Sequence, residues 1–293
     1  MTYISGIVSG HICIKNKKMV NFRIMSDLHL EFYPSAQSLY ELIQFTDYDK
    51  DCYLILAGDV GYPVNHNNKT QPNPEYGQFL QLMSKQFQGV ILVPGNHEYY
   101  RCVENGISIE EVDNTIRHIC NMVGVIFLQN DTITIDNVVI HGCALFSHVT
   151  TKDAVKMHDI KYIAPLNKLL SVYERHRQWV FQVLRKNTQN NTRNNTRTNN
   201  QKCLMITHHL PIIPELPPKF KLTYSTRMSA YCTDLLTELF DGNYQIPNVW
   251  CCGHIHTDLD CTYTFEHKKV RLITSPMGYI GTELHLTPTY FSL

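Results

Sequence analysis

Five times along this chain an apolar, β-branched-rich run stops at side chains able to bind a metal ion, and that repeated grammar limits the fold more than any other feature. Residues 22–26 run into Asp27-Leu28-His29, residues 53–57 into Gly58-Asp59, and residues 89–93 into Pro94-Gly95-Asn96-His97. Residues 203–207 run into His208-His209 and residues 249–252 into Gly253-His254-Ile255-His256. Each run has the length and composition of a short buried strand. Pro94 cannot continue a β-ladder and Gly95 permits a sharp turn, so the third run ends abruptly. Ligand-binding groups gather at the carboxyl edges of such strands. A lone histidine or capped turn is more often structural, but five junctions of one kind predict a shared site.

Between these junctions strand and helix alternate. Helical patterns cover residues 34–46, 74–88 and 166–186, and another starts at Ser108, where Glu111 completes a capping-box spacing. The alternation implies βαβ units and a mainly parallel sheet in the first half. Three short strand patterns lie within 125–141, broken by Asn130-Asp131 and Asp136-Asn137. A helix is expected over about 227–239, and patterns at 262–265, 270–274 and 283–286 have the alternation of an antiparallel second sheet. The loops 62–74 and 210–218, rich in Pro, read as rims of the site.

Composition sets the outer limits. With 293 residues, 43% of them hydrophobic, the chain can bury one large core. Lys plus Arg equals Asp plus Glu at 26 each, so total charge gives no footprint for nucleic acid or an anionic membrane. The ten cysteines show no C-x-x-C pair, so reduced, buried thiols are expected, and adjacent Cys251 and Cys252 should point to opposite faces of a sheet. Neither a signal peptide nor a membrane-spanning stretch is legible, which makes a cytoplasmic location the expectation. Residues 1–20 read as a peripheral extension, 21–293 as a single domain, and 187–200, a tract of Asn, Thr, Arg and Gln, as a flexible surface insertion.

The order Asp-x-His, Gly-Asp, Gly-Asn-His-Glu, His, Gly-His-x-His resembles the calcineurin-like metallophosphoesterases, with all five motifs intact. Finer wording is similar to a group of small microbial metallophosphoesterases: the stretches 26–32 and 95–100, Ser229-Ala230-Tyr231, and Pro276-Met277-Gly278-Tyr279. The segment 157–163 resembles one that in the family has Asn where His158 stands; for His141, His148 and His158 a structural role is the default. The resemblance implies an α/β fold, a four-layer α/β/β/α sandwich with two mixed β-sheets.

The resemblance also implies a site. Asp27, His29 and His256 would hold one divalent ion, Asn96, His208 and His254 a second, and Asp59 would bridge them. Carboxylate, imidazole and amide ligands together suit Mn²⁺ first, with Fe, Zn²⁺ or Mg²⁺ as the other candidates. A bridging hydroxide would attack phosphorus in line with the leaving oxygen, while the matching histidine, His97, stabilises or protonates the leaving group. His208 is the ligand expected at the strand end, although its neighbour His209 offers the same chemistry. A protein Ser/Thr phosphatase would carry Asp-Arg-Gly shortly after Gly58-Asp59, where this chain has Val60-Gly61-Tyr62-Pro63. Phosphomonoesters and phosphodiesters both remain open as substrates. The alternatives are a nuclease and a catalytically inactive scaffold on the same fold, the second disfavoured because every ligand position is filled.

Overall fold

The computed structural model describes residues 19–65, 71–154, 157–185, 201–214, 228–280 and 287–293. The extension before Met19, the Asn-rich tract 187–200 and the expected strand at 283–286 lie outside the described residues.

In chain order the elements are β1 (Asn21–Met25), α1 (Ala36–Leu42), β2 (Cys52–Ala57), α2 (Pro74–Gln86), β3 (Gly89–Val93), α3 (Cys102–Asn105) and α4 (Ile109–Val123). Then follow β4 (Ile126–Phe127), β5 (Asp131–Ile135), β6 (Val138–Cys143), α5 (Thr151–Ala154), α6 (His158–Tyr162), α7 (Leu166–Leu184) and β7 (Lys202–Thr207). The chain closes with α8 (Leu236–Asp241), β8 (Val249–Cys252), β9 (Leu259–Phe265), β10 (Lys268–Thr274) and β11 (Thr289–Ser292). One sheet has the order β11-β1-β2-β3-β4 and the other β5-β6-β7-β8-β10-β9. In the first, β1 to β4 are parallel and β11 joins β1 antiparallel. In the second, β6, β7, β8 and β10 are parallel, with β5 and β9 antiparallel at the edges. Both sheets are therefore mixed.

The period-2 alternation of side chains decides the layers. Leu54 and Leu56 of β2 pack with α1, α2 and α4 in one outer cluster. Ile55 and Ala57 of the same strand turn inward, to a cluster shared with Ile140, Leu204, Ile206 and Cys251 of the other sheet. Cys252 points the opposite way from Cys251, into a third cluster with Leu236 and Leu239 of α8. Helix, sheet, sheet and helix thus stack as four layers, as the resemblance implied. Helix α7 serves both outer layers, because Leu169 and Val172 near its start join the first cluster and Val180 and Leu184 near its end join the third. The nine cysteines among the described residues are all free, eight of them buried.

Two expectations change. The helix expected over 227–239 is, among the described residues, a single 3-10 turn at Met228–Ala230 and then α8. The backbone between them is committed elsewhere: Leu210 N–H donates to Tyr231 carbonyl oxygen, and Thr233 N–H donates to Leu210 carbonyl oxygen. Residues 231–233 thus anchor the loop after His209: Cys232 N–H still closes one helical bond, to Met228 carbonyl oxygen, but Thr233 N–H is drawn off to Leu210 and the helix does not continue. The C-terminal strands, read from their alternation as antiparallel, are so only in the β9–β10 hairpin; β10 runs parallel to β8, which gives the mixed sheet that the resemblance implied.

Candidate metal centre

All eight residues singled out at the strand ends come together in one cleft between the ends of the two sheets. Five of them hold left-handed backbone: Asp27 (φ 52°), His29 (50°), Asp59 (54°), His254 (71°) and His256 (44°). This conformation costs a non-glycine residue roughly 1–2 kcal/mol, and such strain gathers where surrounding structure holds side chains at a functional site. The surrounding structure is a lattice of backbone hydrogen bonds between loops. Leu28 and His29 N–H groups donate to Asp59 carbonyl oxygen at 2.8 and 3.0 Å, and Asp27 N–H donates to Gly58 carbonyl oxygen. Close approach demands glycine at Gly95, where an added Cβ would stand 2.1 Å from Asp59 Oδ1.

A carboxylate that received no role from the sequence organises the second and third loops. Glu98 is buried and accepts backbone N–H groups from Gly95 (2.6 Å), Asp59 (3.0 Å), Val60 (2.8 Å) and Gly61 (3.3 Å). Burial and the neighbouring Asp59 charge push its carboxyl up to about 7, against the pull of those donors. Asn96 is held in the same manner, its amide donating to Asp159 Oδ1 (3.1 Å) and Tyr100 Oη (3.0 Å). That leaves the Asn96 carbonyl oxygen facing His208 Nε2 at 3.1 Å.

Ligand-type atoms converge in two adjacent places. Asp27, His29 and His256 form one group and Asp27, Asp59 and His208 another, each with donor atoms within 4.8 Å of one another. His256 Nε2 lies 3.2 Å from Asp27 Oδ1 and 3.1 Å from His29 Nε2. His208 Nε2 lies 3.3 Å from Asp59 Oδ2, and its Nδ1 lies 2.8 Å from Ala57 carbonyl oxygen. Such a carbonyl partner holds Nδ1 protonated and leaves the Nε2 lone pair for a metal. Nε2, Asn96 Oδ1 and Asp59 Oδ2 therefore converge near His208, where either a proton on Nε2 or a cation would join them.

The electrostatics agree. Burial opposes charge on His208, but Asp59 outweighs it and raises the imidazole to about 9, while Asp59 itself, despite burial, is held well below the carboxylate range by His208 and His97. Burial and the His208 charge push His254 down to about 3. The cleft attracts positive charge, and the donor set fits a divalent metal centre.

His209 belongs to the same neighbourhood. Its Nδ1 bonds Ser147 Oγ at 2.8 Å, its ring stacks on His254 at 4.0 Å, and its Nε2 is buried without a hydrogen-bond partner. With His208 and His254 it forms a third group of possible ligands. His141 has the ordinary structural role, bonding Thr132 Oγ1. His158 does not, since it is exposed and lines the cleft together with Ala230, Tyr231 and Tyr279.

Glu31, which lies in the stretch 26–32 but received no role from the sequence, is the second unforeseen residue. Its Oε1 is 2.6 Å from His97 Nδ1 and 3.3 Å from His29 Nδ1. Burial disfavours the His97 imidazolium, but Asp59 and the Glu31 hydrogen bond prevail and raise it to about 9.

Comparison with known proteins gives the family and the fold. An uncharacterized protein of Acanthamoeba polyphaga mimivirus is 26% identical over 286 residues, covering 91% of this chain and 94% of that protein. The phosphopantetheinyl hydrolase of Mycobacterium tuberculosis shares the fold with a TM-score of 0.56 at 16% identity, covering 93% of this chain and 96% of its own. The family model described as calcineurin-like phosphoesterase matches residues 20–258. The chain belongs to the calcineurin-like phosphoesterase family, and is a metal-dependent phosphoesterase.

Proposed function

We propose that the protein hydrolyses a phosphate ester at a two-metal centre, Mn²⁺ being the favoured ion. Asp27, His29 and His256 would hold one ion, Asn96, His208 and His254 the other, and Asp59 would join them. The observation that carries this reading is the pair of adjacent ligand groups meeting around Asp27, Asp59 and His208. The chemistry such ions supply is Lewis acidity toward the phosphoryl oxygens and a lowered pKa for water at the site.

The remaining work falls to the chain. Glu98 clamps the loops that carry Asp59 and Asn96, so the ligands are oriented before anything binds. Asn96 contributes an oxygen without negative charge, which keeps the cleft receptive to an anionic ester. His97 sits at the cleft wall with Nδ1 held by Glu31, so its other nitrogen is the one free to give a proton to the leaving oxygen. Charge on His97, which ions held in the cleft would disfavour, is supported by the Glu31 carboxylate at Nδ1.

The test is Asp59→Asn. An amide joins two cations poorly, so this variant should bind less than one full equivalent in total at Mn²⁺ concentrations that load two in the wild type, measured by metal analysis after gel filtration. Two full equivalents in the variant would remove Asp59 from the bridging role.

A further inference from the structure

The cleft adjoins a second cavity of about 800 Å³, and the two share His97, Tyr100, His158 and Tyr279 as walls. That volume is within the range of small-molecule sites, roughly 300–1,000 Å³. Half of the ten described lining residues carry six-membered aromatic rings, Phe32, Tyr62, Tyr100, Tyr162 and Tyr279; His97 and His158 add imidazoles, and Ile280 is the one aliphatic residue among the described walls. The rings support each other. Phe32 meets Tyr279 edge to face at 5.6 Å, and Tyr100 lies 5.5 Å from Tyr162. Phe32 is 51% exposed and Tyr279 38%, a display of aromatic surface that marks binding sites when it rims a cavity.

We propose that this cavity takes the nucleobase of a nucleoside phosphate, so that the substrate class is phosphate esters whose leaving group carries a planar ring system. The inference rests on the reading of the cleft given above. If His97 gives its proton to the leaving oxygen, the leaving group lies on the His97 side, and that side opens into the ring-lined cavity. Flat walls gain most from a flat guest, because stacked and edge-to-face contacts between rings exceed what buried area alone supplies, and aromatic side chains bind bases of any identity through their faces. Arg101, whose guanidinium lies 4.5 Å over the Tyr62 ring, and Glu104 bring charge to the same walls. Charges there suit the polar edge of a base and disfavour an acyl tail. A small alcohol such as glycerol would leave most of the cavity untouched.

The experiment compares adenosine 5′-monophosphate with ribose 5-phosphate on the Mn²⁺-loaded protein. Both present the same 5′-oxygen ester and differ in the base. Dissociation constants from calorimetry should favour the nucleotide by at least tenfold, and kcat/KM should follow wherever turnover occurs. The preference should fall toward one in Phe32→Ala, a substitution at an exposed position, and further in Phe32→Ala combined with Tyr162→Ala. Phe265→Ala, an exposed ring outside both cavities, should keep it. Equal affinity for the two ligands, or a preference untouched by the double substitution, overturns the assignment. If p-nitrophenyl phosphate is turned over with metal while the two ligands bind alike, the base assignment alone falls. If no ester binds or turns over with metal, both it and the proposed function fall.

Discussion

Glu31 and His97 form the unit whose role can be tested most sharply one residue at a time. A carboxylate 2.6 Å from Nδ1 fixes the ring's orientation and favours its protonated form. Glu31→Gln should therefore leave metal content unchanged while lowering kcat, by up to about 100-fold, the low end of what a positioned proton transfer supplies, because the His97 ring itself remains. The loss should be larger for esters with poor leaving groups than for a nitrophenyl ester. Metal loss in this variant would instead assign Glu31 to holding His29, to which its Oε1 is also close. A second pair is adjacent in sequence. His208 directs Nε2 at Asn96 and Asp59, whereas His209 is tied through Nδ1 to Ser147. His208→Ala should lose metal under conditions where His209→Ala retains it with weaker affinity, as read by metal titration. The reverse outcome would move the ligand one position along the chain.

At the scale of elements, the strands present the site and the loop hydrogen bonds fix it. The sequence showed the strand ends, because a buried strand has a composition and a length. It did not show that Asp27, His29, Asp59, His254 and His256 adopt left-handed backbone, since that conformation is imposed by cross-loop contacts between residues far apart in sequence. Glu98 was invisible as an organiser for the same reason: its four donors lie on two loops that meet only in the fold. The α4 capping box was legible, Ser108 Oγ accepting Glu111 N–H and the Glu111 carboxylate accepting Ser108 N–H, because both partners are local. Helix α4 also carries a pH-sensitive contact. Asp113 accepts a hydrogen bond from Tyr99 Oη at 2.6 Å, and burial raises its carboxyl to about 6 despite that bond. Below about pH 4 Asp113 is protonated folded or unfolded. Between about pH 4 and 6 the unfolded chain releases this proton first, so stability falls as pH rises. Asp113→Asn keeps an acceptor for Tyr99 and removes the titration, so its stability relative to wild type should increase across that window, by about 3 kcal/mol at pH 7. Urea unfolding at pH 4, 5, 6 and 7 measures it, and a difference that does not change with pH would count against it.

For the whole molecule, two sheets with inner faces packed together bring five strand ends to one place, although the residues involved span positions 27 to 256. The four-layer arrangement followed from the family resemblance together with alternation within strands. The C-terminal strand β11, joined antiparallel to β1, was not legible, because its four residues carry no pattern that separates them from a loop. The ring-lined cavity was equally hidden, since its walls come from segments near residues 32, 62, 100, 162 and 279. These features sit on the framework of a metal-dependent phosphoesterase.

The most direct measurement is turnover of p-nitrophenyl phosphate and its diester by protein stripped of metal with a chelator, gel-filtered, and titrated with Mn²⁺ while bound metal is counted. Stripped protein should be inactive toward both, with activity returning as bound metal approaches two equivalents. Full activity in the stripped protein, or full recovery at a single equivalent, would contradict the two-metal account.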